Sequence, residues 1–313
     1  METTRLAPSP TGALHLGNAR TFLINWAMAR QGGWRIILRI EDLDGPRVKQ
    51  GADRQAIEDL QWLGIDWDEG PVYQSDRREH YEQAVRRLLK KGLAYPYICT
   101  RSEVATAASA PHSEDGSTVY PGTCRGRFQS IAEAKDRAGR DPALRFAAPP
   151  GAVEFRDGFA GEQQIDVAVR LGDFVIAKGD GTPAYQLAVV VDDAHMGVTR
   201  IVRGDDLLDS APRQILLYRA LDLNSSVPQY YHLPLVVGPD GRRLAKRHGD
   251  TRISAYRRRG ISAGRVVALL GRWCGIRTDA CELTARQFLE SFDIGRVPRD
   301  RIVFSGELQN GPL

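Results

Sequence analysis

The sequence predicts an α/β fold built on a doubly wound parallel sheet, and three observations lead there. Residues 34–40, Trp-Arg-Ile-Ile-Leu-Arg-Ile, are apolar enough for a parallel strand buried on both faces. A short N-terminal strand turns through Pro8, Ser9, Pro10 and Gly12 into a helical pattern over 18–30. The apolar side of that pattern is Ala19, Phe22, Leu23, Trp26, Ala27 and Ala29. Beyond it, strand-like and helix-like segments alternate, as they do where helices cover a sheet.

The chain of 313 residues is long enough for a substantial core and for two domains or more. A net charge of +4 is compatible with a polyanionic partner without demanding one. No apolar run approaches a membrane span, and Met1-Glu-Thr-Thr-Arg5 carries no apolar signal region. The four cysteines are unevenly spaced and make no disulfide framework. A reduced, cytoplasmic protein is expected.

Taken in order, the first turn is suited to phosphate, because backbone N–H groups and a helix N-terminus point out of such a junction. Gly12 and Gly17 leave room for a purine or a phosphate, and His15 is placed to donate to an anionic oxygen. The strand over 34–40 ends in Arg39, Glu41, Asp42 and Asp44, just past the C-terminal edge where open α/β sheets bind ligands. Glu41 is suited to an ammonium group. Residues 51–63 read as an amphipathic helix. A further helix over 76–91 carries Tyr81, Ala84, Val85, Leu88 and Leu89 at helical spacing and stops at Gly92.

Composition shifts between about 94 and 184. Residues 105–121, rich in Ala, Ser, Gly and Pro, read as a loop. Strands are expected over 152–156, 164–171 and 173–176, which makes an insertion of mainly β character. The apolar run at 184–193 is expected to resume the sheet. A helix running to Leu221 follows residues 198–214. A strand over 233–237 leads to the turn Pro239-Asp240-Gly241 and a basic loop. Beyond Lys246 the chain becomes helical and basic, with Val266, Val267, Leu269 and Leu270 at core spacing.

Two separated stretches carry a resemblance. His15-Leu16-Gly17-Asn18 and Arg243-Leu244-Ala245-Lys246-Arg247 are similar to the HIGH and KMSKS signatures of class I aminoacyl-tRNA synthetases. The blocks at 5–18, 39–44, 62–68, 173–193, 203–214 and 232–247 resemble the glutamate-specific branch. The stop at Leu313, with the wording of residues 185–193 and 206–210, resembles the glutamyl-queuosine tRNA(Asp) synthetase family. Two departures stand out: Asn18 replaces a second histidine, and Ala245 and Arg247 replace serines, while Lys246 is present.

The resemblance implies a Rossmann-like catalytic domain in two halves, 1–95 and 185–245. An inserted acceptor-type subdomain at 96–184 would separate them, and a helical stem-contact-like region at 246–313 would follow, without an anticodon-binding domain. It implies ATP-dependent activation of L-glutamate, with Mg²⁺ accompanying ATP, and transfer to the queuosine base at the wobble position of tRNA(Asp). His15 and Lys246 would be catalytic. Pro8, Gly12, His15, Gly17, Asn18, Arg243, Lys246 and Arg247 would hold ATP. Arg5, Ala7, Ser9, Glu41, Tyr185 and Arg203 would hold glutamate, arginine suiting carboxylates through its bidentate fork.

The family's zinc pattern, Cys-x-Cys followed by Tyr-x-x-x-Cys, is incomplete here. Cys99, Tyr120 and Cys124 match, but Arg101 stands at the second cysteine and is no ligand, so no zinc is expected. His112 has no recognised ligand spacing, and Cys274 and Cys281 are remote in sequence. A monomer is expected, with tRNA as its macromolecular partner. Arg257-Arg258-Arg259 reads either as a contact to the tRNA backbone or as a solvated basic helix face. Two alternatives stay open: a truncated glutamyl-tRNA synthetase charging a tRNA 3′ end, and a non-catalytic tRNA-binding paralogue.

Overall fold

The computed structural model of the chain describes residues 1–100, 102–104, 119–242, 244, 250–304 and 306. The chain folds as two compact units. One gathers Met1–Ser75, Arg200–Asp205 and Tyr230–Leu313, the other Asp76–Thr199 and Asp206–Gln229. The segment 96–184 falls inside the second unit and 246–313 inside the first.

Following the chain, the first unit begins with β1 (Thr3–Leu6), α1 (Leu16–Gly32), β2 (Arg35–Ile40), α2 (Ala52–Trp62) and β3 (Glu69–Tyr73). The second supplies α3 (Arg78–Lys90), β4 (Ala94–Tyr97), α4 (Ile131–Ala138), β5 (Ala143–Phe146), β6 (Ala152–Asp157) and β7 (Gly161–Asp166). It continues with α5 (Val167–Arg170), β8 (Phe174–Ala177) and α6 (Tyr185–His195). The chain returns to the first unit at β9 (Arg200–Gly204), leaves it for α7 (Ser210–Ala220), and re-enters along β10 (Gln229–Leu233) and β11 (Val236–Val237). It closes with α8 (Ile253–Arg258), α9 (Ala263–Trp273), α10 (Ala285–Ser291) and β12 (Ile302–Val303).

In the first unit, β1, β2 and β3 form a parallel sheet in that order. Every residue of β2 after Arg35 is buried, as its apolar run requires. Helix α1 lies between this sheet and the C-terminal helices, packing against β1, β9, α9 and α10. A helix covered on several sides hides more than one stripe, and α1 buries Arg20 and Asn25 along with Leu16, Leu23 and Ile24. Truncating Leu23, which has no exposed surface, to alanine would cost about 2–5 kcal/mol. Each of the two polar side chains is anchored by a hydrogen bond: Arg20 Nη1 donates to the carbonyl of Pro234 at 2.8 Å, and Asn25 Nδ2 to that of Arg5 at 2.9 Å. Gly33, at φ +64°, closes the helix in the left-handed region. Gly70 is required by space as well as by φ, since a Cβ there would stand 2.3 Å from the Leu38 carbonyl of β2.

In the second unit, β4, β5 and β8 make an antiparallel sheet and β6 and β7 a hairpin. Asp173 organises the edge of that sheet: its carboxylate accepts from the Tyr95 hydroxyl at 2.6 Å and from the Ala148 N–H at 2.8 Å. Buried Asp192 of α6 is satisfied by Arg77 Nε at 2.7 Å and the Tyr81 hydroxyl at 2.8 Å.

Several sequence expectations need correction. The run at 184–193 is not a strand: it is helix α6, capped by Ala184 in extended geometry and ended before Gly197 at φ +66°. Leu187 to Val191 are all buried, and a uniformly apolar run has neither the period of a strand nor that of a helix to separate the two. The expected strand at 164–171 splits into the end of β7 and the helical turn α5, which Asp166 caps by accepting from the Val169 N–H. The expected strand at 233–237 is not continuous: Leu233 ends β10, only Val236–Val237 forms β11, and between them Pro234 has no N–H to give to a ladder. Most of the loop expected at 105–121 lies outside the described residues.

Candidate active site

The C-terminal edge of the parallel sheet collects the first group of expected site residues. Leu6 of β1 pairs with Leu38 of β2, so the chain leaving β1 runs beside the chain leaving β2. The Glu41 N–H donates to the Pro8 carbonyl at 3.1 Å, and the Ser9 hydroxyl to the Glu41 carbonyl at 3.2 Å. Ala7, Pro8 and Ser9 are thereby fixed against Glu41. Arg39 has no exposed surface and donates through Nη2 to Glu41 Oε1 at 3.0 Å. The pair holds the Glu41 side chain, 13 % exposed, at the mouth of the edge. Asp42 is committed elsewhere, accepting from the Ser75 N–H at 2.8 Å and its hydroxyl at 2.6 Å. Arg5, on β1, is buried, and its backbone carbonyl is tied to α1 through Asn25.

The second group surrounds a cavity of about 530 Å³, a size suited to a small ligand. Gly12, Ala13 and His15 form one wall, and Lys49, Gly51 and Gln55 another. Leu244, of the second signature, and Thr251 and Arg252, just after it, form the third. Backbone bonds tie the first signature to the segment that follows the second: Leu16 N–H to the Thr251 carbonyl at 3.0 Å and, from Ile253 N–H, to the neighbouring Leu14 carbonyl at 2.8 Å. His15 is the N-cap of α1. A Cβ on Gly17 would lie 3.3 Å from the His15 ring, so that glycine makes room for the imidazole rather than for a ligand directly. Nothing stands within 4 Å of a Cβ on Gly12, where a ligand has open approach. Asn18 lies half-buried in the first turn of α1. Asp250 accepts from Arg252 Nε at 2.6 Å, and that bond holds its carboxyl below the usual range. Arg243, Lys246 and Arg247 lie outside the described residues.

Arg203 sits on β9, which packs against β1, and is 5 % exposed. Its Nε donates to His232 Nε2 at 2.9 Å. Tyr185 belongs to the second unit, where it opens α6 with its ring 39 % exposed.

The matches to known proteins follow the same outline. The family model described as tRNA synthetases class I (E and Q), catalytic domain, matches residues 2–305. A protein of Symbiobacterium thermophilum named glutamyl-Q tRNA(Asp) synthetase is 47 % identical, over 97 % of this chain and 96 % of that one. Its namesake in Nocardia farcinica is 46 % identical, over 95 % and 91 %. The chain belongs to the glutamyl-Q tRNA(Asp) synthetase family. That family lies within the class I glutamate and glutamine synthetases and makes the chain a ligase. A glutamate–tRNA ligase of Citrifermentans bemidjiense is 41 % identical over 96 % of this chain and 63 % of its own length. A solved glutamate–tRNA ligase from Elizabethkingia meningosepticum, in complex with its amino acid, superposes at a TM-score of 0.81. It has 27 % identity over 97 % of this chain and 67 % of that one.

For this synthetase family, the first unit gathers Arg5, Ala7, Pro8, Ser9, Gly12, His15, Gly17, Asn18, Glu41 and Arg203. Sequence reasoning missed the wall made by Lys49, Gly51, Gln55 and Arg252. Its signal was faint, since Gly51 is an ordinary helix N-cap glycine and Lys49 is an exposed residue in no recognised motif.

The zinc pattern that the sequence resemblance raised is tested by the thiols of the second unit. Cys99 Sγ is 3.3 Å from Cys124 Sγ and 3.9 Å from the Tyr120 hydroxyl, and the Cys124 N–H donates to that hydroxyl at 2.6 Å. Burial pushes the Tyr120 phenol well above its usual range. A structural zinc takes four ligands, and no cluster of three or more histidine, cysteine or acidic side chains suited to a metal exists among the described residues. The donors present do not fit the ion. His112 and Arg101 lie outside the described residues, while Cys274 is buried in the first unit and its thiol is pushed up to about 11 by burial.

Proposed function

We propose that the chain activates L-glutamate with ATP to glutamyl-adenylate and transfers the glutamyl group to the queuosine base at the wobble position of tRNA(Asp). The observation that supports this best is the meeting, around one cavity, of His15 of the first signature with Leu244 of the second and Thr251 and Arg252 just after it, in the unit that presents Glu41 at its sheet edge. In this reading a glutamate carboxylate oxygen attacks the α-phosphorus of ATP, the bond to the β-phosphate oxygen breaks, and pyrophosphate leaves. Charge grows on the transferring phosphorus oxygens and on the leaving group, where fixed cationic donors are most effective. His15 would serve the α-phosphate from the mouth of α1, whose N-terminus adds a favourable partial charge. Lys246, flanked by Arg243 and Arg247, would clamp the β- and γ-phosphates. Mg²⁺ bound with ATP would neutralise part of the phosphate charge. Pro8, Gly12, Gly17 and Asn18 shape the rest of the nucleotide site.

Glutamate brings two carboxylates and one ammonium. Glu41 is assigned to the ammonium, Arg5 and Arg203 to the carboxylates, and Ala7 and Ser9 to one wall. Tyr185 is proposed on the resemblance alone. The adenylate then acylates a hydroxyl of the queuosine base and AMP leaves. The division at 1–95, 96–184, 185–245 and 246–313 belongs to the same reading, as do monomeric state and action in the cytoplasm.

Glutamate transfer to purified tRNA(Asp) with and without queuosine, beside tRNA(Glu), tests the proposal. Labelling of the queuosine-containing tRNA(Asp) alone is expected. Labelling of tRNA(Glu) would make the chain a conventional glutamate–tRNA ligase, and absence of both labelling and pyrophosphate exchange would leave a non-catalytic binder.

A further inference from the structure

Arg203 is held from two sides. Its Nε donates to His232 Nε2 at 2.9 Å, and its guanidinium carbon lies 5.2 Å from the centre of the Tyr230 ring. That ring in turn stacks on the His232 imidazole, with 6.0 Å between centroids and 16° between planes. Tyr230 and His232 are 2 % and 1 % exposed, so the cradle is built into β10 and is dry. The Nε of an arginine always carries its hydrogen, which makes His232 Nε2 the bare nitrogen and fixes the imidazole hydrogen on Nδ1.

A guanidinium can meet a carboxylate in a bidentate way along its side, through Nε and one Nη, or at its end, through both Nη groups. The bond to His232 commits Nε and so removes the side-on approach. We propose that His232 is a positioning residue for glutamate recognition: it fixes the plane of the Arg203 guanidinium and closes its side edge to a substrate carboxylate. This rests on the assignment of Arg203 to a glutamate carboxylate.

The test is ATP–pyrophosphate exchange by the full chain without tRNA, with glutamate and ATP varied separately. His232→Phe keeps a ring for Tyr230 to stack on and removes the acceptor. Its KM for glutamate should rise by about ten-fold to a hundred-fold, the usual loss for a hydrogen bond to a charged group. Its KM for ATP should stay unchanged. His232→Gln, whose amide oxygen reaches the place of Nε2, should return the KM for glutamate to within about three-fold of wild type, while the shorter His232→Asn should not. If His232→Phe does not fold, the Gln and Asn variants decide: a lower KM for the Gln variant supports the proposal and equal values overturn it. Arg203→Lys separates the proposal from the assignment beneath it. An unchanged KM for glutamate in that variant would sink the assignment. A raised KM there, with wild-type behaviour in His232→Phe, would overturn the positioning role and leave Arg203 in place.

Discussion

Asp59, on α2, offers a pH-dependent perturbation whose size can be worked out from its surroundings. The residue has no exposed surface, its Oδ1 accepts from Gln55 Nε2 at 3.0 Å, and burial raises its pKa from 3.8 to about 6. A carboxyl with a higher pKa in the folded than in the unfolded chain binds its proton more tightly when folded. Its stabilising contribution is therefore complete below about pH 4 and is lost as the pH rises through about 6. The gap between 3.8 and about 6 corresponds to about 3 kcal/mol, and water reaching the charged form would bring it nearer 2 kcal/mol. Asp59→Asn keeps the acceptor for Gln55 and cannot ionise. Urea unfolding of both proteins from pH 4 to 8 should show the wild type losing about 2–3 kcal/mol relative to the variant, with unchanged slopes and with the difference opening between pH 4 and 7. Parallel stability profiles over that range would refute the reasoning, because they would mean that burial does not disfavour the charged form. Since Gln55 lines the cavity on the same helix, the KM for ATP should follow the same pH window in the wild type and flatten in the variant.

Four further outcomes are expected. Glu41→Gln should raise the KM for glutamate in pyrophosphate exchange by about ten-fold to a hundred-fold and leave that for ATP alone, since an amide cannot pair with an ammonium as a carboxylate does. Arg39→Met, which leaves Glu41 without its buried partner, should lower the unfolding free energy in urea by about 3–5 kcal/mol. His15→Ala and Lys246→Ala should each slow exchange by about 10²–10³-fold with the fold intact by circular dichroism, the usual loss for one transition-state donor. Metal analysis of the purified chain should find well under one zinc per molecule, and a chelator should leave the melting temperature unchanged, because Cys99, Tyr120 and Cys124 make an incomplete donor set.

What the sequence disclosed depended on whether a local pattern had one physical meaning. The apolar strand at 35–40 and its acidic exit were legible because a run buried on both faces, followed at once by Glu41 and Asp42, fits few places other than a sheet's C-terminal edge. Helix α6 was not, since Ala-Val-Val-Val fills a buried helix as readily as a buried strand and its β-branched residues argue for the wrong one. Gly17 was singled out correctly as a position needing space, but the group occupying that space is the His15 ring, a contact that sequence spacing does not reveal. The Arg257-Arg258-Arg259 run had two readings, and Arg257 donates to Glu58 of α2 at 3.0 Å, so part of its charge serves the fold. The partnership of Arg203 with His232 spans 29 residues and is created by strand pairing alone.

The arrangement of charge around the sheet edge explains why these side chains are buried before any ligand arrives. A free arginine or glutamate in water would surrender much of its hydration on binding a charged substrate, and the interaction would be weak for that reason. Here the desolvation of Arg5, Arg39 and Arg203 is met during folding, by a dense core whose burial supplies the driving force. Arg39 is compensated by Glu41, and Arg203 by the bare nitrogen of His232 and the face of Tyr230. On the proposed assignment, an incoming amino acid with two carboxylates and one ammonium would meet oriented partners in a dry setting, with little reorganisation left to oppose binding. By the same logic the supporting residues, Arg39 and His232, would be as consequential for glutamate selection as the groups proposed to touch it.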